Sequence, residues 1–510
     1  MNLFSVRTRF LVSIGSNGLR AALGFATGLL LARALQPAGY GDFGFLLGSF
    51  VSLRTLLDMG SSNAFYTFIA RQRCSRKQYL YFCSWIAVQF VIVTAAILLL
   101  PSGLISGIWL RHSRSIILLS FFAAFCQQQI WLTVSQIGEA SRQTVKVQAM
   151  NIAIAAVHLV LVICASLFHR LSVPLVFVLI IAEYISAVAW AAWLLRSNGS
   201  VEENAGPVRD LTLPDAIREY ASYCRPLIVL AVLSFMSDMG DKWLLQRFGG
   251  SIQQGLFQIS SQFASVSLIA TTSILNVFWK EVAEASASEN RERVARLYRG
   301  VIRSLVVVGA AVSAFLIPWS KEIVTVLLGS SYALAAPIFA IMLLYPVHQS
   351  MGQIVGTTFL ATGRTRTYLK MGILTAVVSV PATYFMLAPR SGLLPGLGLG
   401  AVGLAIKLVI INVLLVNLQS WLLAHQGGWR YDWLFQFTGF AAFVLLSFGA
   451  KLVVSSIWNI DLSKKLALVF PFVTSGVLYI VACALVLWCY PAIIGAERGR
   501  NALSRLRTGW

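Results

Sequence analysis

The chain has 510 residues, of which 58% are hydrophobic and 12% are charged. An ordinary soluble domain has about 25% charged residues, so this composition excludes a soluble enzyme or a soluble binding domain. Apolar runs long enough to cross a bilayer recur from one end of the sequence to the other. We therefore expect an all-α integral membrane protein. The N-terminal stretch MNLFSVRTRFLVS has no short apolar region with a small-residue cleavage site, which predicts a retained first helix.

Fourteen apolar spans are predicted, and they are joined mostly by short connections. In chain order they lie near residues 10–33, 40–58, 79–100, 115–137, 148–168, 173–195, 220–246, 255–279, 300–318, 334–361, 368–388, 397–423, 433–456 and 466–490. The connections at 196–219 and 280–299 are longer, and neither is large enough for a folded domain. No large outer loop is predicted, which argues against a membrane enzyme such as a polysaccharide polymerase or ligase.

The net charge of +21 follows the predicted topology. With the N-terminus in the cytoplasm, the cytoplasmic connections carry more than twice as many Lys and Arg residues as the outer connections. This asymmetry is the one that the positive-inside rule describes. It places both termini in the cytoplasm and makes contact with lipid headgroups a better interpretation of the basic residues than contact with nucleic acid.

Two pairs of segments suggest an internal repeat. LARALQPAGYGDF at 31–43 aligns without gaps with LQRFGGSIQQGLF at 245–257, and 127–142 resembles 349–364. Six spans separate the copies, so both halves enter the membrane in the same orientation, as in transporters built from parallel repeats. The pattern predicts two six-helix lobes around a central cavity, followed by two further helices. The predicted boundaries are 1–196 and 220–423 for the lobes, 197–219 for a cytoplasmic linker, 424–490 for the added helices and 491–510 for a basic cytoplasmic tail.

Several motifs resemble a known family. LLLARALQPAGYGDFGFL and LLDMG in the first two spans, together with LLGSSYALAAPIFAIMLLYPVHQSMGQIVGTTFLATGRTRTYL at 327–369 and PGLGLGAVGLAI at 395–406, are similar to Wzx-type polysaccharide flippases. These proteins belong to the multidrug/oligosaccharidyl-lipid/polysaccharide (MOP) exporter superfamily. The motifs are individually loose, and their order and spacing over most of residues 10–423 carry the resemblance.

The resemblance implies a function in surface polysaccharide biosynthesis, for O-antigen or exopolysaccharide, at the bacterial inner membrane. It implies alternating access and transfer of an undecaprenyl-pyrophosphate-linked oligosaccharide from the inner to the outer leaflet. Membrane lipids, and the polymerase and chain-length proteins of the same pathway, are the other expected partners. A lipid II flippase and a cation-coupled multidrug exporter of the same superfamily stay open as alternatives.

The stretch VLSFMSDMGDKWLL in span seven carries three charges inside an apolar run. On a helix Asp238, Asp241 and Lys242 lie within one sector of about 100°. A charge at the centre of a bilayer costs roughly 2.5–3.5 kcal/mol on insertion scales, so such residues face a cavity or one another. Both interpretations stay open: the residues line a substrate cavity, or they form an internally neutralised structural cluster.

Other polar residues inside the spans are further candidates for the cavity. Arg20 and Lys407 lie midway along spans one and twelve, and a cation in a dehydrated cavity suits a pyrophosphate. Gln127, Gln128, Gln129 and Trp131 in span four could hydrogen-bond and stack on sugars, or could equally join neighbouring helices. Arg54 and Asp58, one turn apart in span two, form either an intrahelical pair near the cytoplasmic surface or part of the site.

The sequence contains no motif for nucleotide use and no spacing typical of a metal site. The seven cysteines and five histidines are scattered, and no Walker motif occurs. We expect no catalytic residues and no cofactor. Any energy for transport then comes from the substrate gradient or from a coupling ion, H⁺ or Na⁺. Span one carries Arg20 and no carboxylate, which favours an anionic cargo over the cationic cargo of a drug exporter.

Overall fold

A computed structural model describes residues 6–71, 76–141, 143–196, 212–288, 290–392, 394–458 and 467–489. These residues form helices joined by short turns, and no strand occurs among them. The predicted all-α fold is therefore confirmed. The predicted cytoplasmic tail lies outside the described residues, as does most of the predicted linker.

Eighteen α-helices are present in the described part of the chain. They are α1 Val6–Asp58, α2 Ser61–Arg71, α3 Arg76–Leu99, α4 Ser102–Ile108, α5 Arg114–Phe125, α6 Trp131–Ala140, α7 Thr144–Leu167, α8 Val173–Arg196, α9 Leu213–Ser265, α10 Ile269–Ala287, α11 Arg291–Leu316, α12 Ser320–Leu328, α13 Ala335–Met342, α14 Tyr345–Ala361, α15 Thr365–Leu387, α16 Gly400–Gly427, α17 Leu434–Ile457 and α18 Val469–Cys489. A π-helical turn, Cys126–Ile130, joins α5 to α6. Helix α9 begins inside the predicted linker.

Within the described residues, eleven helices are long and apolar enough to cross a membrane. The number rises to twelve if the bent pair Leu213–Arg225 and Leu227–Ser265 is counted as one span. A multi-pass membrane protein is thus confirmed, whereas the count of fourteen is not. Helices α1 and α9 each have 53 residues; α1 covers predicted spans one and two, and α9 covers span seven and the beginning of span eight.

Both long helices are broken at the same place in the proposed repeat. Gln36 in α1 has φ 59° and ψ 169°, and Gly250 in α9 has φ 74° and ψ 179°. This conformation is normally restricted to glycine, so Gln36 is strained where Gly250 is not. Pro37 follows the first break and suits the first turn of the resumed helix. The two breaks coincide with the junctions that the sequence predicts between spans one and two and between spans seven and eight.

The segments that follow these breaks cross at two glycines. A Cβ atom on Gly41 would lie 1.8 Å from the carbonyl oxygen of Ser251, and one on Gly255 would lie 2.0 Å from that of Pro37. Each glycine thus packs on the backbone four residues before the other glycine. This reciprocal contact is the kind that a two-fold axis generates between equivalent segments. Gly41 and Gly255 are also aligned in the sequence repeat, so the crossing supports that alignment.

The chain divides into two compact units. Unit 1 contains the described residues up to Gln258 together with Ala376–Gly400, and unit 2 contains Ile259–Thr375 and the described residues from Ala401 onward. A core of unit 2 packs α10, α11, α14, α16, α17 and α18 around side chains such as Tyr298, Met351 and Phe443. In unit 1, Phe65 stacks on Phe82 with ring centroids 3.9 Å apart. The predicted six-helix lobes stay a prediction.

The Gly41–Gly255 crossing makes a prediction about stability. Gly41→Ala or Gly255→Ala should force the two backbones apart and lower the free energy of unfolding by about 1–3 kcal/mol, as overpacking does. Thermal unfolding of the purified protein measures the effect. Gly240→Ala in α9 is the matched control, since a Cβ there would meet no atom within 4 Å. Equal melting temperatures for the Gly41 and Gly240 variants would contradict the close contact.

Candidate functional site

Arg20 is exposed on the first part of α1. Its charge acts on Glu139 at the end of α6 and on Tyr184 in α8. Gln148 also donates a hydrogen bond to Glu139 over 3.4 Å. The prediction singled out Arg20 and missed Glu139 and Tyr184. The three helices thus bring a cation, a carboxylate and a phenol to the same region of the unit.

The predicted glutamines lie on the π-helical turn between α5 and α6. Gln127 donates to the Tyr184 hydroxyl over 3.4 Å, and Gln128 donates to the side-chain oxygen of Gln127 over 3.3 Å. The indole N–H of Trp131 donates to Asn151 over 2.8 Å. Single π-helical turns inside α-helices are frequent at functional sites. Gln127 and Gln128 are half-buried.

Arg54 and Asp58 have separate partners. The Nε atom of Arg54 donates to the Oε1 atom of Gln129 over 2.8 Å, which joins α1 to the π-helical turn. Asp58 is buried and accepts hydrogen bonds from the hydroxyl of Ser61 and from the backbone N–H and hydroxyl of Ser62. Asp58 therefore caps the start of α2, where a carboxylate satisfies free N–H groups. The structure gives Asp58 a structural contact; a role in substrate binding stays a prediction.

Lys242 lies at the centre of the charged stretch of α9. Its ammonium donates to Ser52 over 3.2 Å, and the charges of Asp238 and Asp241 both act on it. The hydroxyl of Thr383 donates to Asp241 over 2.6 Å. A Cβ atom on Gly48 would lie 2.8 Å from Cε of Lys242, so this glycine leaves room for the lysine stem. The three charges thus form a mutually compensating cluster within unit 1, and Asp238 is its exposed member.

The cluster predicts that Lys242 stabilises the protein mainly by compensating the charge of Asp241. Lys242→Met should leave the two carboxylates without the cation between them and should destabilise the protein by more than about 1 kcal/mol. Adding Asp241→Asn in the same chain should restore much of the loss, because the less exposed of the two uncompensated carboxylates is then neutral and Asp238 is exposed to solvent. Thermal unfolding of the single and double variants checks this double-mutant cycle. Purely additive effects would show that the charges are independent.

Unit 2 contains the remaining predicted cation, Lys407. It is 1% exposed, on α16. Its place in a substrate cavity stays a prediction. The same unit also holds an ion pair that the sequence reading missed: Lys451 lies 2.7 Å from Glu322 and 2.7 Å from the carbonyl oxygen of Pro318. The Nζ atom of Lys451 also lies 4.6 Å from the ring centre of Trp319. These contacts join α17 to α12.

Two polar clusters of unit 1 were not predicted. His158 in α7 lies 2.9 Å and 2.8 Å from the two carboxylate oxygens of Glu183 in α8. The second cluster surrounds Asp42, which accepts hydrogen bonds from Gln246 over 3.1 Å and from Ser251. His112, in the connection between α4 and α5, completes the second cluster with Nε2 3.2 Å from Asp42.

Burial alone would lower the pKa of His112, but its hydrogen bond to Asp42, its hydrogen bond to the Trp109 carbonyl and the charge of Asp42 together raise that pKa. The imidazolium is therefore favoured in the folded protein. Because the folded pKa is the higher one, the stabilisation is complete below the ordinary value of 6.5 and is lost as pH rises through the raised value.

Thermal stability should consequently decrease from mildly acidic to mildly alkaline pH, and His112→Gln should remove that part of the dependence. The measurement is the melting temperature of the purified protein over this pH range. His169→Asn, which changes an exposed histidine in another connection between spans, should leave the profile unchanged. A wild-type profile shared by the His112 variant would show that another group is responsible.

An apolar groove lies on unit 1 between α3 and the first part of α9. Its cavity volume is about 520 Å³, and its walls include Trp85, Val88, Ile217 and Tyr220. Asp58 and Ser61 contribute a small polar patch to the lining. Within the described residues, no group of three or more His, Cys, Asp or Glu side chains is placed to hold a metal ion.

Many apolar spans, broken long helices and ionised side chains inside the spans are typical of membrane transporters. A family model described as polysaccharide biosynthesis protein matches residues 6–279, which is more than half of the chain. The chain belongs to this polysaccharide biosynthesis family, which confirms the family resemblance predicted from the sequence motifs. No curated protein sequence gives a significant match.

Solved structures of the MOP superfamily share the fold. The lipid II flippase MurJ in an inward closed conformation is similar with a TM-score of 0.67 and 12% identity, over 95% of this chain and 99% of that chain. An outward-facing multidrug resistance MATE family transporter is similar with a TM-score of 0.53 and 13% identity, over 82% of this chain and 96% of that chain. A MOP superfamily transporter from Pyrococcus furiosus, described by the reverse polarity of its binding pocket, has a TM-score of 0.54 and 14% identity, over 82% of this chain and 96% of that chain.

Proposed function

We propose that the protein is a flippase that moves undecaprenyl-pyrophosphate-linked oligosaccharide units from the cytoplasmic to the outer leaflet of the bacterial inner membrane. The units would supply surface polysaccharide such as O-antigen or exopolysaccharide. The family and the transporter fold support a flippase. The observation that carries the choice of substrate is Arg20, an exposed arginine in the first span beside hydrogen-bonding side chains.

The pyrophosphate is the part of such a substrate that most resists the membrane. Its charge cannot enter hydrocarbon without a compensating cation, and an arginine guanidinium matches phosphate oxygens in both charge and geometry. Arg20 is exposed, so its donors can reach a ligand. Lys242 is a second cation of unit 1, but its ammonium already donates to Ser52. We assign Arg20 the main contact with the phosphates.

The sugar and lipid parts of the substrate need different surroundings. Sugar hydroxyls require hydrogen-bonding partners, and Gln127, Gln128 and Tyr184 offer amide and hydroxyl groups beside Arg20. The polyprenyl tail can remain in hydrocarbon. The apolar groove between α3 and α9 offers it a surface, because its lining is almost entirely apolar. In this scheme the protein supplies binding groups and alternating access, and no bond is made or broken.

The superfamily contains transporters with other cargo, and the intramembrane charges discriminate between them. The MATE transporter with a similar fold is described as a multidrug resistance protein. A coupled exporter of cationic drugs would favour a carboxylate in span one, whereas this span carries Arg20. The lipid II flippase MurJ shares the fold more closely, and lipid II flipping is the alternative that also suits an anionic substrate.

A strain lacking the gene tests the proposal. Lipid-linked oligosaccharides are extracted, and their leaflet is assayed with a membrane-impermeant glycan probe on spheroplasts and inverted vesicles. We expect complete unpolymerised units to accumulate on the cytoplasmic face and to be cleared by the wild-type gene. Normal arrival at the outer leaflet, with no redundant flippase present, would overturn the proposal. Accumulation of lipid II instead would favour the alternative substrate.

The role of Arg20 predicts a specific defect. Loss of a hydrogen bond to a charged group costs about 1.5–3 kcal/mol, so Arg20→Ala should reduce translocation by roughly 10- to 100-fold at normal protein level. Arg20→Lys should retain part of the activity, since it keeps the charge and loses the planar fork. Arg33→Ala, an exposed arginine further along α1, is the matched control. Equal activity of the Arg20 and Arg33 variants would remove Arg20 from the site.

A further inference from the structure

His158 and Glu183 form a buried acid–base pair inside the membrane-spanning part of unit 1. Both α7 and α8 are candidate spans. His158 lies about 21 Å along α7 and Glu183 about 15 Å along α8, at 1.5 Å per residue, which puts both well inside the apolar layer. The side chain of Glu183 is 4% exposed and that of His158 is 18% exposed. An ionisable pair at this depth is a functional candidate by default.

The pair is a hydrogen-bonded imidazole and carboxylate, and no third His, Cys, Asp or Glu side chain of the described residues joins it to hold a metal ion. Both oxygens of Glu183 face one nitrogen, Nδ1 of His158, at 2.9 Å and 2.8 Å. That nitrogen donates to the carboxylate when it carries a proton. Na⁺ is a hard cation and, like Ca²⁺ or Mg²⁺, requires several oxygen ligands around it. We propose that His158 and Glu183 are a proton-binding site that couples translocation to the proton gradient.

The charge balance explains how such a site can work. With one proton added to the neutral imidazole and the carboxylate, on either group, the pair is neutral overall and can stay enclosed. Without that proton, a lone carboxylate remains in the apolar layer, which is unfavourable until water reaches it. His158 is the more exposed member, so the proton enters and leaves through the imidazole.

Neighbouring ionisable groups set the environment of the pair. Helices α1, α5 and α6 and the π-helical turn pack against α7 and α8. Besides the pair, the ionisable side chains described on these six segments are Arg20, Arg33, Tyr40, Asp42, Arg54, Asp58, Arg114, Cys126, Glu139, Lys146, Cys164 and Tyr184. The charge of Glu183 acts on Tyr184, which also accepts a hydrogen bond from Gln127 and feels the charge of Arg20.

That arrangement places the proton pair next to the proposed substrate face. Glu183 and Tyr184 are consecutive residues of α8, so a movement of this helix shifts both groups together. Protonation of the pair can thereby be linked to the position of the Tyr184 hydroxyl and of its partner Gln127. The coupling rests on the proposed flippase function, whereas proton binding by the pair does not.

The coupling is tested with purified full-length protein in liposomes that contain the lipid-linked oligosaccharide. Translocation is followed with an impermeant glycan probe, with and without a gradient of one pH unit. Translocation by the wild-type protein should be stimulated by up to about tenfold, because one proton per cycle at that gradient supplies free energy equivalent to a factor of ten. Glu183→Gln and His158→Gln should lose the stimulation. Glu322→Gln, which breaks the ion pair with Lys451 in unit 2, should retain it. Stimulation retained by Glu183→Gln would overturn the coupling.

Proton binding is measured separately from transport. The infrared difference spectrum between low and high pH reports the imidazole and carboxyl vibrations, and we expect a titration that both single variants remove and Glu322→Gln keeps. If the wild-type protein does not translocate the oligosaccharide but this pH-dependent change is present, the proposed function fails and the proton site stands. If the spectrum is unchanged by Glu183→Gln, the site is wrong. The double variant His158→Gln/Glu183→Gln can retain a hydrogen bond between α7 and α8, so it provides the same test if a single variant does not fold.

Discussion

The structure depends on one constraint, which is that a polar or charged side chain inside hydrocarbon needs a partner within the protein. In a bilayer no water compensates an ionised group, so each charge is either neutralised or held where water can reach it. Unit 1 meets this constraint in several ways. Arg54 bonds Gln129, Asp58 caps a helix, and Lys242 lies between two carboxylates and a serine. Arg20 differs because it is exposed on its helix.

The same constraint explains where the helices come closest. Side chains as long as lysine need space inside a helix bundle, and Gly48 supplies it for Lys242. At the Gly41–Gly255 crossing the space is used by the backbones themselves, which lets Ser251 approach Asp42 closely enough to donate a hydrogen bond. Small residues thus control both the packing of the spans and the contacts made by their polar groups.

Much of the fold could be predicted because apolar length and the repeat are local properties of the sequence. The helix breaks at Gln36 and Gly250 fall where span junctions were expected. Side-chain partners depend on distant residues, and the sequence order does not reveal them. The bond from Arg54 to Gln129 joins residues that are 75 positions apart. One available signal was overlooked: a lone histidine and a lone acid lie inside spans five and six, and matching their depths could have paired His158 with Glu183.

The contact between Asp42 and Ser251 has a consequence for how the protein is made. The two residues are 209 positions apart, so Asp42 enters the membrane long before its partner has been synthesised. Gly41 likewise enters the membrane long before Gly255 has been synthesised. His112 is the first of the three partners of Asp42 to be synthesised, so it can bond the carboxylate as soon as the first spans are inserted. His112 would therefore pair with the Asp42 carboxylate until Ser251 has been inserted. The first half of the chain acquires its final packing only after the start of the second half has entered the bilayer.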